Sequence, residues 1–194
     1  LLGVKGSPEP WCKREKVKWL CPAPGYDRHF AICEAFGMEM ISVPMHEDGP
    51  DMDMIERLVS TDEDIKGVWC VPRYANPTGV VYSDEVVRRF ARLNPKAPDF
   101  RIYWDDAYCV HDLTDERAEI LNILEECKKT GRPDMPLIFA STSKISFPGG
   151  GIAAIGASED NINFMNEQMS YQILGYDKLN QLRHAKFFQD FDGL

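Results

Sequence analysis

Short apolar runs alternate along the chain with longer stretches in which apolar residues recur every three or four positions. The first pattern suits strands, and the second suits helices that bury one face. Strands are predicted at 17–21, 39–43, 67–71, 101–104, 137–140 and 151–155, each bounded by Gly, Pro or polar residues. Helices are predicted between them. The stretch 26–36 ends at Gly37, and 51–60 starts behind a Gly-Pro turn. The stretch 83–93 has Ser83 as N-cap and Val86, Val87 and Phe90 as its apolar stripe. The stretch 115–130 closes on Lys128, Lys129 and Gly131, and a polar helical stretch follows at 177–190. This alternation points to an α/β sheet covered by helices rather than to a sandwich or a bundle.

Composition narrows the picture. At 194 residues and 44% hydrophobic, the chain can bury one substantial core, so one domain or most of one is expected. A net charge of −9 and a pI near 4.9 argue against a nucleic-acid partner. No apolar run approaches the roughly 20 residues needed to span a bilayer, and residues 1–10 hold neither an apolar signal core nor a basic leader. A soluble, cytoplasmic protein is expected. Cys12, Cys21, Cys33, Cys70, Cys109 and Cys127 form no CxxC pair and read as buried reduced thiols. His29, His46, His111 and His184 show no metal-ligand spacing, so no metal site is expected.

Candidate chemistry collects at strand ends. Ser141-Thr142-Ser143-Lys144 follows the strand 137–140 and precedes a glycine-rich run, Gly149 to Gly151. Alone, a lysine there is an ordinary solvated residue. The end of a strand, however, is where open α/β sheets place their ligands. Upstream, Asp105, Asp106 and Tyr108 close the strand 101–104. Paired carboxylates also suit acid–base work or metal binding, but the sequence offers no second acidic cluster for a metal. Further upstream still, Asn76-Pro77-Thr78-Gly79 is a turn signal.

In that order and at similar separations, the Asn-Pro-Thr-Gly turn, the Asp-x-x-Tyr strand end and the Ser-x-Ser-Lys stretch resemble the pyridoxal-phosphate (PLP) enzymes of the aspartate aminotransferase superfamily. Residues 17–188 fit the resemblance, and the stretches 19–30, 76–80, 99–107, 141–151 and 177–188 look like the bacterial aspartate aminotransferases of the Corynebacterium type. The resemblance implies a three-layer fold, a mostly parallel sheet with helices on both faces, forming the large domain of a PLP-dependent transferase. It also implies that residues 1–194 are the central part of that domain. The glycine- and serine-rich turn that receives the phosphate would then lie before Leu1, and the small domain with the arginine for the substrate α-carboxylate after Leu194.

The same resemblance assigns roles. Lys144 would carry the cofactor and act as catalytic base, and Asp105 would pair with the pyridine nitrogen. Tyr108 and Asn76 would hydrogen-bond the ring oxygen, Tyr26 would stack on the ring face, and Ser141 would hold the phosphate. The sequence departs from the pattern at Ile152, where many relatives carry an arginine; the backbone around Gly149 to Gly151, or Lys178 or Arg183, could replace it. Arg28, two residues beyond Tyr26, is a candidate reader of a substrate side-chain carboxylate, set against a surface arginine pairing with Asp27 or Glu34. The implied activity is amino-group transfer between an amino acid, aspartate or glutamate, and a 2-oxo acid, in a homodimer. Two rivals share the scaffold: another PLP-dependent lyase, and a PLP-binding domain of a transcription regulator. Borohydride reduction of the yellow full-length protein, followed by peptide mass mapping, should place the cofactor label on Lys144; label on any other lysine would remove the core of this reading.

Overall fold

The computed structural model describes residues 3–112, 115 and 118–190. Seven strands form one sheet in the order β3-β2-β1-β4-β5-β6-β7. They are β1 (Lys18–Ala23), β2 (Glu39–His46), β3 (Gly49–Pro50), β4 (Ile65–Cys70), β5 (Arg101–Asp105), β6 (Pro136–Ser141) and β7 (Ala153–Gly156). The five central strands β2, β1, β4, β5 and β6 run parallel. Only the edges reverse, β3 as a two-residue bridge to β2 and β7 beside β6. The connection 142–152 holds no crossover helix, so β7 comes back antiparallel.

Among the described residues six α-helices complete the layers: α1 (Asp27–Ala35), α2 (Met52–Thr61), α3 (Asp84–Arg92), α4 (Ile123–Lys129), α5 (Glu159–Ser170) and α6 (Lys178–Phe188). From β1 the chain steps outward through α1 to β2, whereas from β4 it steps the opposite way through α3 to β5 and through α4 to β6. Parallel crossovers keep one hand, so opposite stepping puts α1 on one face and α3 and α4 on the other.

Side-chain alternation builds a core on each face. Leu20, Val43, Val68, Cys70, Ile102 and Trp104 point toward α2, α3 and α4 and meet Ile55, Val59, Val87, Phe90, Ile123 and Cys127. Trp19, Cys21, Trp69 and Tyr103 point the other way, with Trp11, Phe30 and Cys33. Trp19 lies 4.8 Å from Tyr103 and 5.8 Å from Trp69, centroid to centroid. Its indole crosses Gly67 so closely that a Cβ there would sit 2.4 Å from the ring, which explains a glycine inside a strand.

Every strand and helix predicted from the pattern is present, with shifted ends. The N-caps Ser83 and Asp51 accept backbone bonds from Val86 and Met54. The helix expected over 115–130 is shorter, because Asn122 caps it by accepting from Leu124 and Glu125 N–H, and the Ala118 carbonyl is taken by Arg73 instead of a helical turn. Residues 113, 114, 116 and 117 lie outside the described residues. Unpredicted are β3, too short to carry a period, and α5, whose sequence is largely polar. Of the thiols, Cys21, Cys33, Cys70 and Cys127 are buried, but Cys12 is exposed on a 3-10 turn, Trp11–Lys13. Among the described residues no helix is long and apolar enough to cross a membrane.

At the N-terminal edge of the sheet Lys66 and Asp99, 1% and 0% exposed, are paired at 2.7 Å. The Trp11 indole donates to the second carboxylate oxygen at 2.8 Å. Burial alone would raise the Asp99 carboxyl, but the Lys66 and Trp11 hydrogen bonds hold it below its usual range. Asp99→Ala, which strands a buried ammonium, should cost about 3–5 kcal/mol in urea unfolding. A depressed folded pKa adds stability that is present above the unfolded value of about 3.9 and is lost as pH falls below it. The wild-type protein should therefore lose more stability than Asp99→Ala between pH 5 and pH 3, both set by order of magnitude about that value.

Candidate functional site

Four neighbouring strands, β1, β4, β5 and β6, deliver side chains to the C-terminal edge of the sheet, astride the β1/β4 boundary where the stepping direction reverses. Such a boundary leaves a crevice that loops cannot cover. After β1 the chain turns at Gly25, where a Cβ would lie 2.3 Å from the Pro22 carbonyl oxygen. The turn places Tyr26 at the N-cap of α1. After β4, a tight loop closed by Ala75 N–H to Val80 O (2.8 Å) and Gly79 N–H to Ala75 O (2.6 Å) presents Asn76. Asp105 ends β5, and a turn carries Tyr108 beyond it. Ser141 ends β6, and Lys144 follows in the connection to β7.

These six residues line one cleft of about 250 Å³, together with Val71, Ala107 and Ser143. The Lys144 ammonium donates to the Tyr108 hydroxyl at 2.5 Å and lies 5.9 Å from the centroid of the Tyr26 ring. The structure thus brings together Tyr26, Asn76, Asp105, Tyr108, Ser141 and Lys144. Arg28 is not among the lining residues. It is exposed on the first turn of α1 and pairs with neither Asp27 nor Glu34 among the described residues. Lys178 and Arg183 are likewise exposed and outside the cleft lining, and Gly149 to Gly151 also lie outside it.

Sequence reasoning missed His29. It lies one turn into α1, buried, with Nε2 2.9 Å from Asp105 Oδ2. A carboxylate only accepts, so Nε2 carries the hydrogen toward Asp105. The imidazole is stacked on the Trp69 indole at 4.3 Å and 8°. Trp69 in turn donates to Cys33 Sγ at 3.4 Å. The neighbouring Cys21 thiol and the Trp69 indole hold the Cys33 thiol below its usual range, against the opposing effect of burial. The spacing Tyr26-x-x-His29, which puts both residues on one helical turn, was the available signal. Beside Asp105, burial pushes the Asp106 carboxyl up; Arg73, 3.7 Å away, opposes the shift and Asp105 reinforces it.

The donor set fits a flat, anionic heterocycle with a reactive carbonyl. A carboxylate braced from behind stands at one point of the cleft, hydroxyl and amide groups at others, an aromatic face on one side and an amine within reach. The parallel sheet and this edge define the large-domain architecture of the PLP-dependent transferases. Within that class the chain belongs to the aspartate aminotransferase family, whose sequence model matches residues 1–194. It is 54% identical over its whole length to a protein of Mycolicibacterium smegmatis that carries an aminotransferase name, and 46% identical to an aspartate aminotransferase of Corynebacterium glutamicum. The crystal structure of an aspartate transaminase from Corynebacterium glutamicum superposes with a TM-score of 0.95 over 98% of this chain, at 46% identity. The chain spans about 45% of the length of each of these relatives.

Because His29 and Asp105 act as one pair, His29→Leu should cost about 1–3 kcal/mol in urea unfolding by leaving a partly buried carboxylate oxygen without its donor. Asp105→Asn added to it should cost much less than the sum of the two single changes. Strict additivity would show that the 2.9 Å contact carries no coupling.

Proposed function

We propose that the protein containing this chain is a PLP-dependent aminotransferase that moves an amino group between a dicarboxylic amino acid, aspartate or glutamate, and a 2-oxo acid. The observation that carries the reading is the convergence of Lys144, Tyr108, Asp105 and Asn76 on one cleft, in a chain 46% identical to an aspartate aminotransferase. When bound, pyridoxal phosphate supplies an electron sink for bond breaking at the substrate α-carbon. Each remaining task falls to a residue of this chain.

Asp105, oriented by His29, would hold a protonated ring nitrogen by a charge-assisted hydrogen bond. Tyr108 and Asn76 offer hydrogen bonds to a ring oxygenate, and Tyr26 offers its face to the ring. Ser141 and Ser143 offer hydroxyls to a phosphate at the end of β6, sharing it with groups from outside residues 1–194. Lys144 would anchor the cofactor and then, as the free amine, take the proton from the substrate α-carbon. Its hydrogen bond to Tyr108 directs that amine toward the cleft, although Lys144 is itself exposed. We also place the enzyme in the cytoplasm as a homodimer. The exposed apolar run of Tyr171, Leu174, Tyr176 and Leu179 fits a surface that further chain covers in the whole protein.

Arg28, exposed on the first turn of α1 two residues beyond Tyr26, remains the candidate reader of the substrate side-chain carboxylate, because its planar fork of donors suits a carboxylate. The test uses full-length protein, following both half-reactions by cofactor absorbance and identifying products. Aspartate and 2-oxoglutarate should yield oxaloacetate and glutamate, whereas alanine with carbon dioxide from aspartate would assign a decarboxylase, and pyruvate with ammonia from a substrate with a leaving group on Cβ, such as serine or cysteine, would assign a lyase. Arg28→Ala should lower kcat/KM for aspartate by about ten- to a hundredfold, the worth of one charge-assisted hydrogen bond, and spare alanine. An equal loss for both substrates would remove Arg28 from substrate recognition.

A further inference from the structure

The connection that carries Lys144 is gripped from α6. Residues 142–152 close on themselves through Thr142 N–H to Ile152 O and Ile152 N–H to Thr142 Oγ1, both 2.9 Å. Inside the loop the Ile145 and Ser146 N–H groups both donate to the Thr142 carbonyl, at 3.0 and 2.9 Å. His111 Nε2 lies 3.3 Å from the Lys144 carbonyl, and a further hold comes from His184, a residue only 3% exposed. Its Nδ1 lies 2.9 Å from the Asn180 carbonyl, the acceptor one turn back in its own helix. A carbonyl cannot donate, so Nδ1 carries the hydrogen and Nε2 presents a lone pair. That lone pair faces two hydroxyls, Ser146 Oγ at 2.8 Å and Thr142 Oγ1 at 3.1 Å. Thr142 and Ser146 sit two residues before and two residues after Lys144.

A second grip lies one turn earlier on the same face of α6. The Asn180 amide donates to the Gly150 carbonyl at 2.8 Å and to the Gly151 carbonyl at 3.3 Å, so the glycine-rich run is fastened from α6 as well. The Phe147 and Phe188 rings lie 5.8 and 6.0 Å from the imidazole, Phe147 edge-on.

We propose that His184 is a positioning residue for Lys144, clasping the hydroxyls of Thr142 and Ser146 on both sides of the lysine so that its amine is held against Tyr108 in the cleft. A loop free of helical or sheet hydrogen bonds across its middle would let a flexible four-carbon side chain swing into solvent. Here the imidazole fixes the backbone from which that side chain starts. The assignment rests on the reading of Lys144 as the cofactor lysine, and its test is arranged so that the two can fail separately.

In full-length apoprotein, amide hydrogen exchange and competitive acetylation of lysines report the loop without any cofactor. His184→Leu should speed exchange across 142–152 by about tenfold or more, with the strands β1, β4 and β5 unchanged, and should raise the acetylation rate of Lys144 relative to other lysines. His184→Gln, which returns an acceptor near Nε2, should recover most of both effects. Ser146→Ala combined with Thr142→Val removes the hydroxyls without touching α6, and with them the Ile152 N–H bond to Thr142 Oγ1, so it should loosen the loop at least as much as His184→Leu. In PLP-loaded protein the same variants should weaken cofactor affinity by about tenfold, again recovered by His184→Gln. Unchanged exchange and acetylation in the loop-side double variant would overturn the proposal, as would a uniform rise in exchange over the whole sheet or a failure of His184→Gln to rescue. If the loop effects appear but borohydride traps the cofactor on another lysine, the clasp stands as a loop restraint and its assignment to cofactor chemistry falls with the functional reading.

Discussion

The parallel alignment of β1, β4, β5 and β6 is the constraint on which the rest of the molecule depends. Hydrogen bonding in one direction forces their C-terminal ends onto a single edge, so groups separated by as much as Tyr26 and Lys144 in sequence face one cleft. Reversal of any one of these strands would send its functional side chain to the opposite edge. The change of stepping direction between β1 and β4 then opens the crevice, because the loops on either side lead away from it.

The same strands also brace the site from below. Alternation places Trp69 and Tyr103 on the face covered by α1, where they pack with Trp19. Trp69 holds the His29 ring by stacking, and His29 holds Asp105 by a hydrogen bond. Packing on one face of the sheet is in this way converted into the orientation of a carboxylate at its edge. Removal of water from these contacts strengthens the polar ones and makes any unpartnered group costly.

Buried polar groups mark three places where the backbone must not drift. Lys66, Asp99 and Trp11 tie the N-terminal edge, His29 and Asp105 tie the cleft, and His184 with Asn180 ties the connection behind Lys144. Each is a hydrogen-bonded set with members from separate elements, so each fixes a relation between elements that apolar packing alone leaves adjustable. The connection 142–152 needs such a tie most, since it is neither a crossover helix nor part of the parallel ladder.

Much of this was legible in the chain. Apolar runs bounded by Gly and Pro marked six of the seven strands, and the Gly-Pro turn before Asp51 and the cap Ser83 marked two helix starts, because these signals are local and come from backbone sterics and nearby hydrogen bonds. The order of Asn76, Asp105, Tyr108 and Lys144 at strand ends was also written there, and it pointed to the cleft as soon as the strands were taken as parallel. Other features had no local signature. The two-residue strand β3 exists only through pairing with β2, and the helix at 115–130 was shortened by Arg73, which takes the Ala118 carbonyl from another loop. His29 and His184 read as isolated histidines, since what gives each its part is a partner far along the chain: Asp105 for the first, Thr142 and Ser146 for the second. Local pattern determined which segments are strands and helices and which side chains end them; only the tertiary structure decided which distant hydrogen-bonding groups meet, because that follows from the direction and order of the strands and not from spacing along the chain.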